Sequence, residues 1–274
     1  MSAIVTGHLG FIGKRLLEAL NSEGYVTHGI DKEDGDPEKW TDILLNFISS
    51  IKPDVIFHVG ACSDTLEKDV NDMMNLNYAS TKILVDYCAK EKIPIIYSSS
   101  AANYGAHGEY PSNLYGWSKY AGEGYTISNG GIALRYFNVY GPGESKKGNM
   151  ASVAYQMYIK SLNGDEVFLF PKNPRRDFVY IEDIVSANIH AYLNYESLKG
   201  KYYDVGAGTP ESFESMLEFL GIEYKYASED SIPKGYQFFT CSDRNKWLPG
   251  WQPVYNLEKG IIDYKKHLAR DTNV

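Results

Sequence analysis

The opening of the chain limits its fold more than any other stretch. Residues 3–6 are a short apolar run, and Thr6-Gly7-His8-Leu9-Gly10-Phe11-Ile12-Gly13 follows at once. Three glycines at this spacing, between a strand and a helix, have separate tasks. Gly7 makes the tight turn, Gly10 lets a ligand approach the backbone, and Gly13 lets the helix lie close on the sheet. The backbone N–H groups from Leu9 through Phe11 and Ile12 open the helix, where they suit phosphate oxygens.

The pattern downstream is of strands separated by helices. A helix is expected over 11–21 and a strand over 25–30. After a charged loop at 31–39, a helix capped by Thr41 or Asp42 should run to residue 49 and stop before Pro53. A strand at 55–59, a long helix over about 71–90, a strand at 94–98, a helix over 115–128 and a strand at 132–137 complete the first half. Beyond Gly141 the spacing is less regular, with helices expected at 150–162, 181–193, 209–220 and 257–267 and short strands at 167–170 and 202–205. The fold class this implies is α/β: a Rossmann-type doubly wound parallel sheet with a smaller C-terminal substrate-binding lobe. The expected division is 1–140 for the dinucleotide-binding domain, completed by segments near 175–206, with 141–174 and 207–274 forming the lobe.

Asp31 closes the second strand, where a carboxylate takes the ribose hydroxyls of a dinucleotide. That favours NAD. Lys32 beside it has a charge suited to a ribose phosphate, so NADP stays open as the cofactor.

Composition narrows the class further. The chain has 274 residues, 43% hydrophobic and 23% charged, which is a folded globular composition. A net charge of −8 argues against nucleic acid or an anionic membrane as partner. Three scattered cysteines make neither a disulfide framework nor a cysteine-only metal site. The start MSAIVTG has no basic leader, and no apolar run reaches membrane-spanning length, so the expected location is cytoplasmic.

A second constellation bears on chemistry. Ile95-Ile96-Tyr97-Ser98-Ser99-Ser100 is a strand ending in hydroxyls, at the sheet edge where ligands bind. Tyr115 and Lys119, four apart, share one helix face. A phenol near pKa 10 is a poor base at neutral pH. A neighbouring ammonium and an oxidised nicotinamide both favour the phenolate, which then takes a proton from a sugar hydroxyl as hydride leaves the same carbon. Ser100 hydrogen-bonds the reacting oxygen. Tyr115, Lys119 and Ser100 are therefore the catalytic candidates. Since hydride and proton transfer account for the reaction, no metal is expected.

The pieces TGHLGFIG, YSSSAANYG, YGWSK, RYFNVYGP and RDFVY resemble the extended short-chain dehydrogenase/reductase family, which acts mainly on nucleotide-linked sugars. Within it, HVGACSDT, LYGWSKY, RYFNVYGPGESKKGNMASVAY, RRDFVY and YQFFT are similar to the ADP-L-glycero-D-manno-heptose 6-epimerases. The resemblance implies a tightly bound NADP or NAD recycled within each turnover. It implies a nucleotide-diphosphate sugar as partner, a place in making lipopolysaccharide precursors, and a homo-oligomer. It assigns Lys147 as the acid/base group opposite Tyr115, and Lys119 to the cofactor ribose. Gly60 and Asn77 fall on the cofactor side, and Asn138, Arg176 and Tyr236 on the nucleotide-sugar side. Arg176 is suited to clamp a diphosphate, because a planar guanidinium binds two oxygens at once.

The match departs from the pattern at two substrate-side positions. Lysine–glycine–serine becomes Lys147-Gly148-Asn149, and a histidine becomes Gln156. Both bear on which sugar is accepted. Another nucleotide-sugar epimerase, such as a 4-epimerase, or a ketoreductase is therefore the alternative. A dehydratase needs an acid near the serine strand, but Ala101 and Ala102 follow Ser100. A catalytically silent relative would lack Ser100, Tyr115 or Lys119, and all three are present.

Overall fold

The computed structural model describes residues 1–35, 39–106, 108–233 and 236–271. By contacts the chain divides into two compact units. Unit one is Met1–Tyr136, Val185–Asp204 and Leu248–Trp251. Unit two is Phe137–Ile184, Val205–Trp247 and Gln252–Val274.

Unit one is built from β1 (Ser2–Thr6), α1 (Phe11–Ser22), β2 (Val26–Ile30), α2 (Trp40–Ile51), β3 (Val55–His58), α3 (Val70–Met74), α4 (Ser80–Glu91), β4 (Ile95–Ser100), α5 (Leu114–Ser128) and β5 (Ile132–Tyr136). Unit two begins with β6 (Asn138–Tyr140), α6 (Val153–Leu162), β7 (Phe168–Leu169), β8 (Arg175–Arg176) and β9 (Phe178–Tyr180). Then come α7 (Ile181–Leu193), α8 (Tyr195–Leu198) and β10 (Lys201–Val205), largely in unit one, and β11 (Glu211–Ser212), α9 (Phe213–Leu220), β12 (Lys225–Tyr226) and α10 (Leu257–Asp271) in unit two.

Six strands form one sheet in the order β10-β5-β4-β3-β1-β2. β1 pairs in parallel with β2 and β3, β3 with β4, and β4 with β5. The order reverses direction at β1, so its C-terminal end and that of β3 flank the switch point where such sheets bind ligands. Ala3, Ile4 and Val5 of β1, Val55, Ile56 and Phe57 of β3 and Ile132, Ala133 and Leu134 of β5 are all fully buried. Consecutive apolar residues pointing to both faces require cover on both faces. Leu44 and Ile48 of α2 and Leu84 and Val85 of α4 join Ile4 and Ile56 in one core cluster. Each such side chain contributes about 1.5–3 kcal/mol on burial. The expected doubly wound parallel sheet and smaller C-terminal region are therefore present.

Several expected boundaries are corrected. Neither Thr41 nor Asp42 caps α2. Both lie inside its first turn, and Lys39 occupies the capping position without a side-chain bond. Trp40 anchors the helix instead, its indole N–H donating to Ser80 Oγ at 3.0 Å. In the charged loop, Lys32–Asp34 form a 3-10 turn, while 36–38, with Pro37, lie outside the described residues. The helix expected over 71–90 is interrupted by a wide π turn at Asn75–Ala79. The helix expected from 150 starts at Val153, because Ala151 is extended and Ser152 Oγ caps Tyr155 N–H. The helix expected from 209 starts at Phe213, because Glu211 and Ser212 pair with β8.

Unit two has short strands. β6 pairs with β9 in parallel, β8 with β11 antiparallel, and β7 with β12 in parallel. Its centre is aromatic: Tyr140 meets Phe178, Tyr180 and Tyr264 with ring centroids 5.3–6.4 Å apart. Among the described residues no helix is long and apolar enough to cross a membrane.

Candidate active site

The glycine turn has the geometry its sequence implies. Gly7 has φ +70°, and its N–H donates to Ile30 O at 2.8 Å, closing the turn onto β2. A Cβ on Gly7 would lie 2.5 Å from Gly60 Cα, and one on Gly13 would lie 2.1 Å from Gly7 O. Neither position admits a side chain. Gly10 precedes α1 in an extended conformation and caps it with no side-chain bond. Leu9 is exposed and Phe11 buried. The Asp31 carboxylate lies beside this turn and accepts Leu9 N–H at 3.2 Å, while Asp31 N–H donates to Asp34 at 2.7 Å. Lys32 is exposed on the 3-10 turn that follows.

A chain of hydrogen bonds with one consistent direction supports the ends of β1 and β3. Thr81 Oγ1 donates to Asn77 O at 2.5 Å, so it accepts from His58 Nε2–H at 2.9 Å. His58 Nδ1 then accepts from Thr6 Oγ1 at 2.7 Å, and Thr6 Oγ1 accepts Gly60 N–H at 3.0 Å. This arrangement requires a neutral imidazole. Burial, and then the Lys119 charge, push His58 down to about 3. Asn77, turned inward by the π turn, accepts Cys62 N–H at 2.7 Å and donates to Cys62 O at 3.0 Å and Ser118 Oγ at 2.8 Å. Ser118 in turn donates to Tyr115 O at 2.7 Å. Asn77 thus braces the loop after β3 against α5. Wide helical turns recur where a side chain must be redirected in this way.

α5 starts at a cap from Asn113, whose Oδ1 accepts Gly116 N–H at 2.8 Å. That fixes Tyr115 in the first turn and Lys119 one turn later. Ser100, at the end of β4, accepts Ala102 N–H at 3.1 Å, which leaves its hydroxyl proton to donate elsewhere. Burial raises the Tyr115 phenol above its ordinary range, and the bond with Ser100 pulls the other way. Lys119 is 2% exposed, and its ammonium lies 4.3 Å from the centroid of the Tyr97 ring. Burial lowers it to about 7 despite Glu123. Among the described residues, no hydrogen-bond acceptor meets Lys119 Nζ.

The sequence reading missed the support behind this face. Glu123, a further turn along α5, accepts Arg135 Nε at 2.8 Å and Nη2 at 2.5 Å, Ser99 Oγ at 2.7 Å and Asn103 Nδ2 at 3.0 Å. Arg135 lies 3.7 Å from the ring centroid of Tyr202 and 4.5 Å from that of Tyr104. The available signal was spacing, since Glu123 continues the face of Tyr115 and Lys119 at i+4.

In unit two, Arg176 of β8 is nearly buried, 5.2 Å from the Tyr236 ring and 5.6 Å from the Phe213 ring. Burial lowers its pKa, with Tyr236 opposing. Tyr236 meets Phe170 and Phe238 edge-on, each at 5.1 Å, so the guanidinium sits in an aromatic surround that the sequence reading only partly named. Asn138 Oδ1 accepts Thr240 Oγ1 at 3.2 Å. Beside Arg176, the buried Asp177 accepts the N–H groups of Ala207 at 2.6 Å and Ser242 at 2.7 Å, and that of Gly208.

Lys147 lies on the Ser145–Met150 turn and is half-buried. Burial lowers its pKa, and Glu144 opposes that. Asn149 is exposed. Gln156 donates through Nε2 to Asn149 O at 3.1 Å and Ala151 O at 2.7 Å, so its amide is engaged in holding the same segment.

Residues 3–206 match the NAD dependent epimerase/dehydratase family. The chain is 34% identical to an ADP-L-glycero-D-manno-heptose-6-epimerase of Brachyspira hyodysenteriae, across 97% of this chain and 98% of that one. The crystal structure of the Helicobacter pylori ADP-L-glycero-D-manno-heptose-6-epimerase is similar with a TM-score of 0.85 at 28% identity, covering 98% of this chain and 96% of that one. A UDP-glucose 4-epimerase from Thermotoga maritima, solved with UDP-glucose, has a TM-score of 0.86 at 24% identity over 99% of both chains. At that identity the likeness speaks for the fold alone. A family match spanning most of the chain, and a relative aligned nearly end to end, make this protein a member of the NAD dependent epimerase/dehydratase family.

Proposed function

We propose that the protein is a nicotinamide-dependent nucleotide-sugar epimerase that inverts C6 of an ADP-linked heptose. The observation that carries this reading is Lys119: an ammonium on a residue only 2% exposed, with no hydrogen-bond acceptor among the described residues, one turn along α5 from the Tyr115 phenol. A ribose diol supplies the missing acceptors. The glycine turn, with Gly7 at positive φ and Gly10 leading straight into the N-terminus of α1, fits the pyrophosphate of the same dinucleotide. The near end-to-end likeness to heptose epimerases supports the sugar.

The C–H bond at a secondary alcohol carbon is not acidic, so inversion there proceeds through oxidation to a ketone and reduction on the other face. A bound nicotinamide supplies the hydride acceptor and donor. Tyr115 takes the hydroxyl proton and returns it, and Ser100 donates to the same oxygen. Lys119 holds the ribose and contributes the charge that favours the phenolate. Lys147 acts as the second acid/base group, on the opposite face of the carbon, and Arg176 grips the diphosphate.

The test is incubation of the purified protein with ADP-D-glycero-D-manno-heptose, followed by NMR at C6. Inversion is the expected result, and its absence would refute the heptose assignment. The changes at Asn149 and Gln156 bear on the sugar, and the second reading is another nucleotide-sugar epimerase or a ketoreductase, for example a 4-epimerase. UDP-glucose in the same assay distinguishes the two. Mass spectrometry of the released cofactor identifies NAD or NADP.

A further inference from the structure

We infer that Glu144 is the positioning residue for Lys147: its buried carboxylate fixes the turn that presents the lysine. The inference rests on the reading of Lys147 as an acid/base group.

Glu144 is fully buried, and three separate segments converge on it. Oε1 accepts Gly141 N–H at 3.3 Å, Ser152 Oγ at 2.7 Å and the Tyr264 hydroxyl of α10 at 2.8 Å. Oε2 accepts Ser152 N–H at 2.5 Å. Gly141 precedes the turn and Ser152 caps α6 after it, so one carboxylate joins both ends to the C-terminal helix. The main chain adds to the clamp, with Lys147 N–H donating to Glu144 O at 2.9 Å. Gln156 closes the far end through the carbonyls of Asn149 and Ala151. Gly148, at φ +52° and ψ −126°, lets the chain leave the turn between these anchors.

Four donors on two oxygens require a group that only accepts. Glutamine would set an NH2 against at least one of them. A carboxylate three residues from Lys147 also supports its protonated form, and Glu144 is the group that opposes the effect of burial there. Of the ionisable groups on the elements this clamp joins, Lys146 and Lys147 lie on the turn itself, Tyr155 lies in the first turn of α6, and Tyr264 of α10 bonds the carboxylate directly.

The experiment uses the full-length protein with its cofactor, reductively methylated with 13C-formaldehyde. The Lys147 signal is identified by its loss in K147R and titrated by NMR. In Glu144→Gln the Lys147 midpoint should fall by roughly one pH unit. Turnover of ADP-D-glycero-D-manno-heptose should fall roughly tenfold with cofactor content unchanged, and Glu144→Gln should add nothing in a Lys147→Ala background. Tyr264→Phe removes one donor without touching the turn, and should move the midpoint the same way by less. It serves as the test if Glu144→Gln does not fold. An unmoved Lys147 midpoint in a folded variant overturns the inference, as does an equal loss of turnover with and without Lys147. Normal turnover of Lys147→Ala alone refutes the acid/base reading instead, and the titration still decides whether Glu144 governs the lysine.

Discussion

Glu123, a buried acid of unit one, is held differently from Glu144 and Asp177, two buried acids of unit two. Glu123 in unit one shares both oxygens with the Arg135 guanidinium, at 2.5 and 2.8 Å. Glu144 and Asp177 in unit two accept N–H and O–H donors and, among the described residues, form no ion pair. The difference follows from what each acid organises. Glu123 lies between a long helix and a sheet whose backbone groups are already paired, so its partners are side chains. Unit two has strands of two and three residues, which leave loop N–H groups to be satisfied by other means. A buried carboxylate gathers several such groups at once. The candidate residues of unit one are therefore presented by regular elements, and those of unit two by short strands and loops tied to acids.

The largest expected effect sharpens this contrast from the side of unit one. Tyr115→Phe removes the phenol and leaves α5, its cap and the Asn77 brace intact. Turnover should fall by roughly 10²–10⁴, while melting temperature and bound cofactor stay as in the parent. Retained turnover would remove Tyr115 from the chemistry.

The next test compares the acids directly. Glu123→Ala leaves Arg135 buried without its partner, and should cost about 3–5 kcal/mol in chemical denaturation. Asp177→Asn leaves no charge behind. It sets an amide against one or more N–H groups, at about 1–3 kcal/mol. Equal losses would mean that the two kinds of site do not differ in energy, and the contrast would fail.

The same contrast explains what could be read from the amino-acid order. The sheet was legible because β1, β3 and β5 are apolar runs followed by turn residues, and because the glycines fix where β1 ends. Tyr115 and Lys119 were legible because helical spacing is a sequence property. The π turn at Asn75–Ala79 was not, since an inserted residue leaves the apolar stripe nearly unchanged while redirecting Asn77. Glu144 was not legible either. In GPGESKKGNM it reads as one more charge on a solvated loop, and its burial depends on Ser152 and on Tyr264, far along the chain. Phe213 and Phe238 gain meaning only once β8 brings Arg176 among the aromatic rings.

A third test concerns a group held neutral rather than charged. His58 ordinarily titrates near 6.5, but burial and Lys119 take it to about 3 in the fold. Between those values the unfolded chain binds a proton that the native protein does not. Stability should therefore fall as pH drops from 6.5 toward 3, with this residue contributing up to about 1.4 kcal/mol per pH unit. Chemical denaturation of the parent and of His58→Gln across that range measures it. The parent should lose more stability than the variant on acidification. Parallel curves would mean that His58 becomes protonated within the fold.

The smallest effect concerns Asp31, which belongs to unit one but is held like Glu144 and Asp177, by an N–H, that of Leu9, and among the described residues without an ion pair. The difference is that Asp31 lies at the open end of β2. A carboxylate that no guanidinium among the described residues neutralises is well placed to accept ribose hydroxyls and poorly placed to face a 2′-phosphate, and Asp34 adds a second acid beside it. The cofactor-free protein should therefore bind NAD more tightly than NADP. Asp31→Ser should narrow that preference by roughly tenfold, about the 1.4 kcal/mol of one charge-assisted hydrogen bond, as read by titration calorimetry with each dinucleotide. Tighter binding of NADP by the parent would show that Lys32, exposed on the same 3-10 turn, outweighs both carboxylates. The manner in which an acid is held would then say nothing about which ligand it admits.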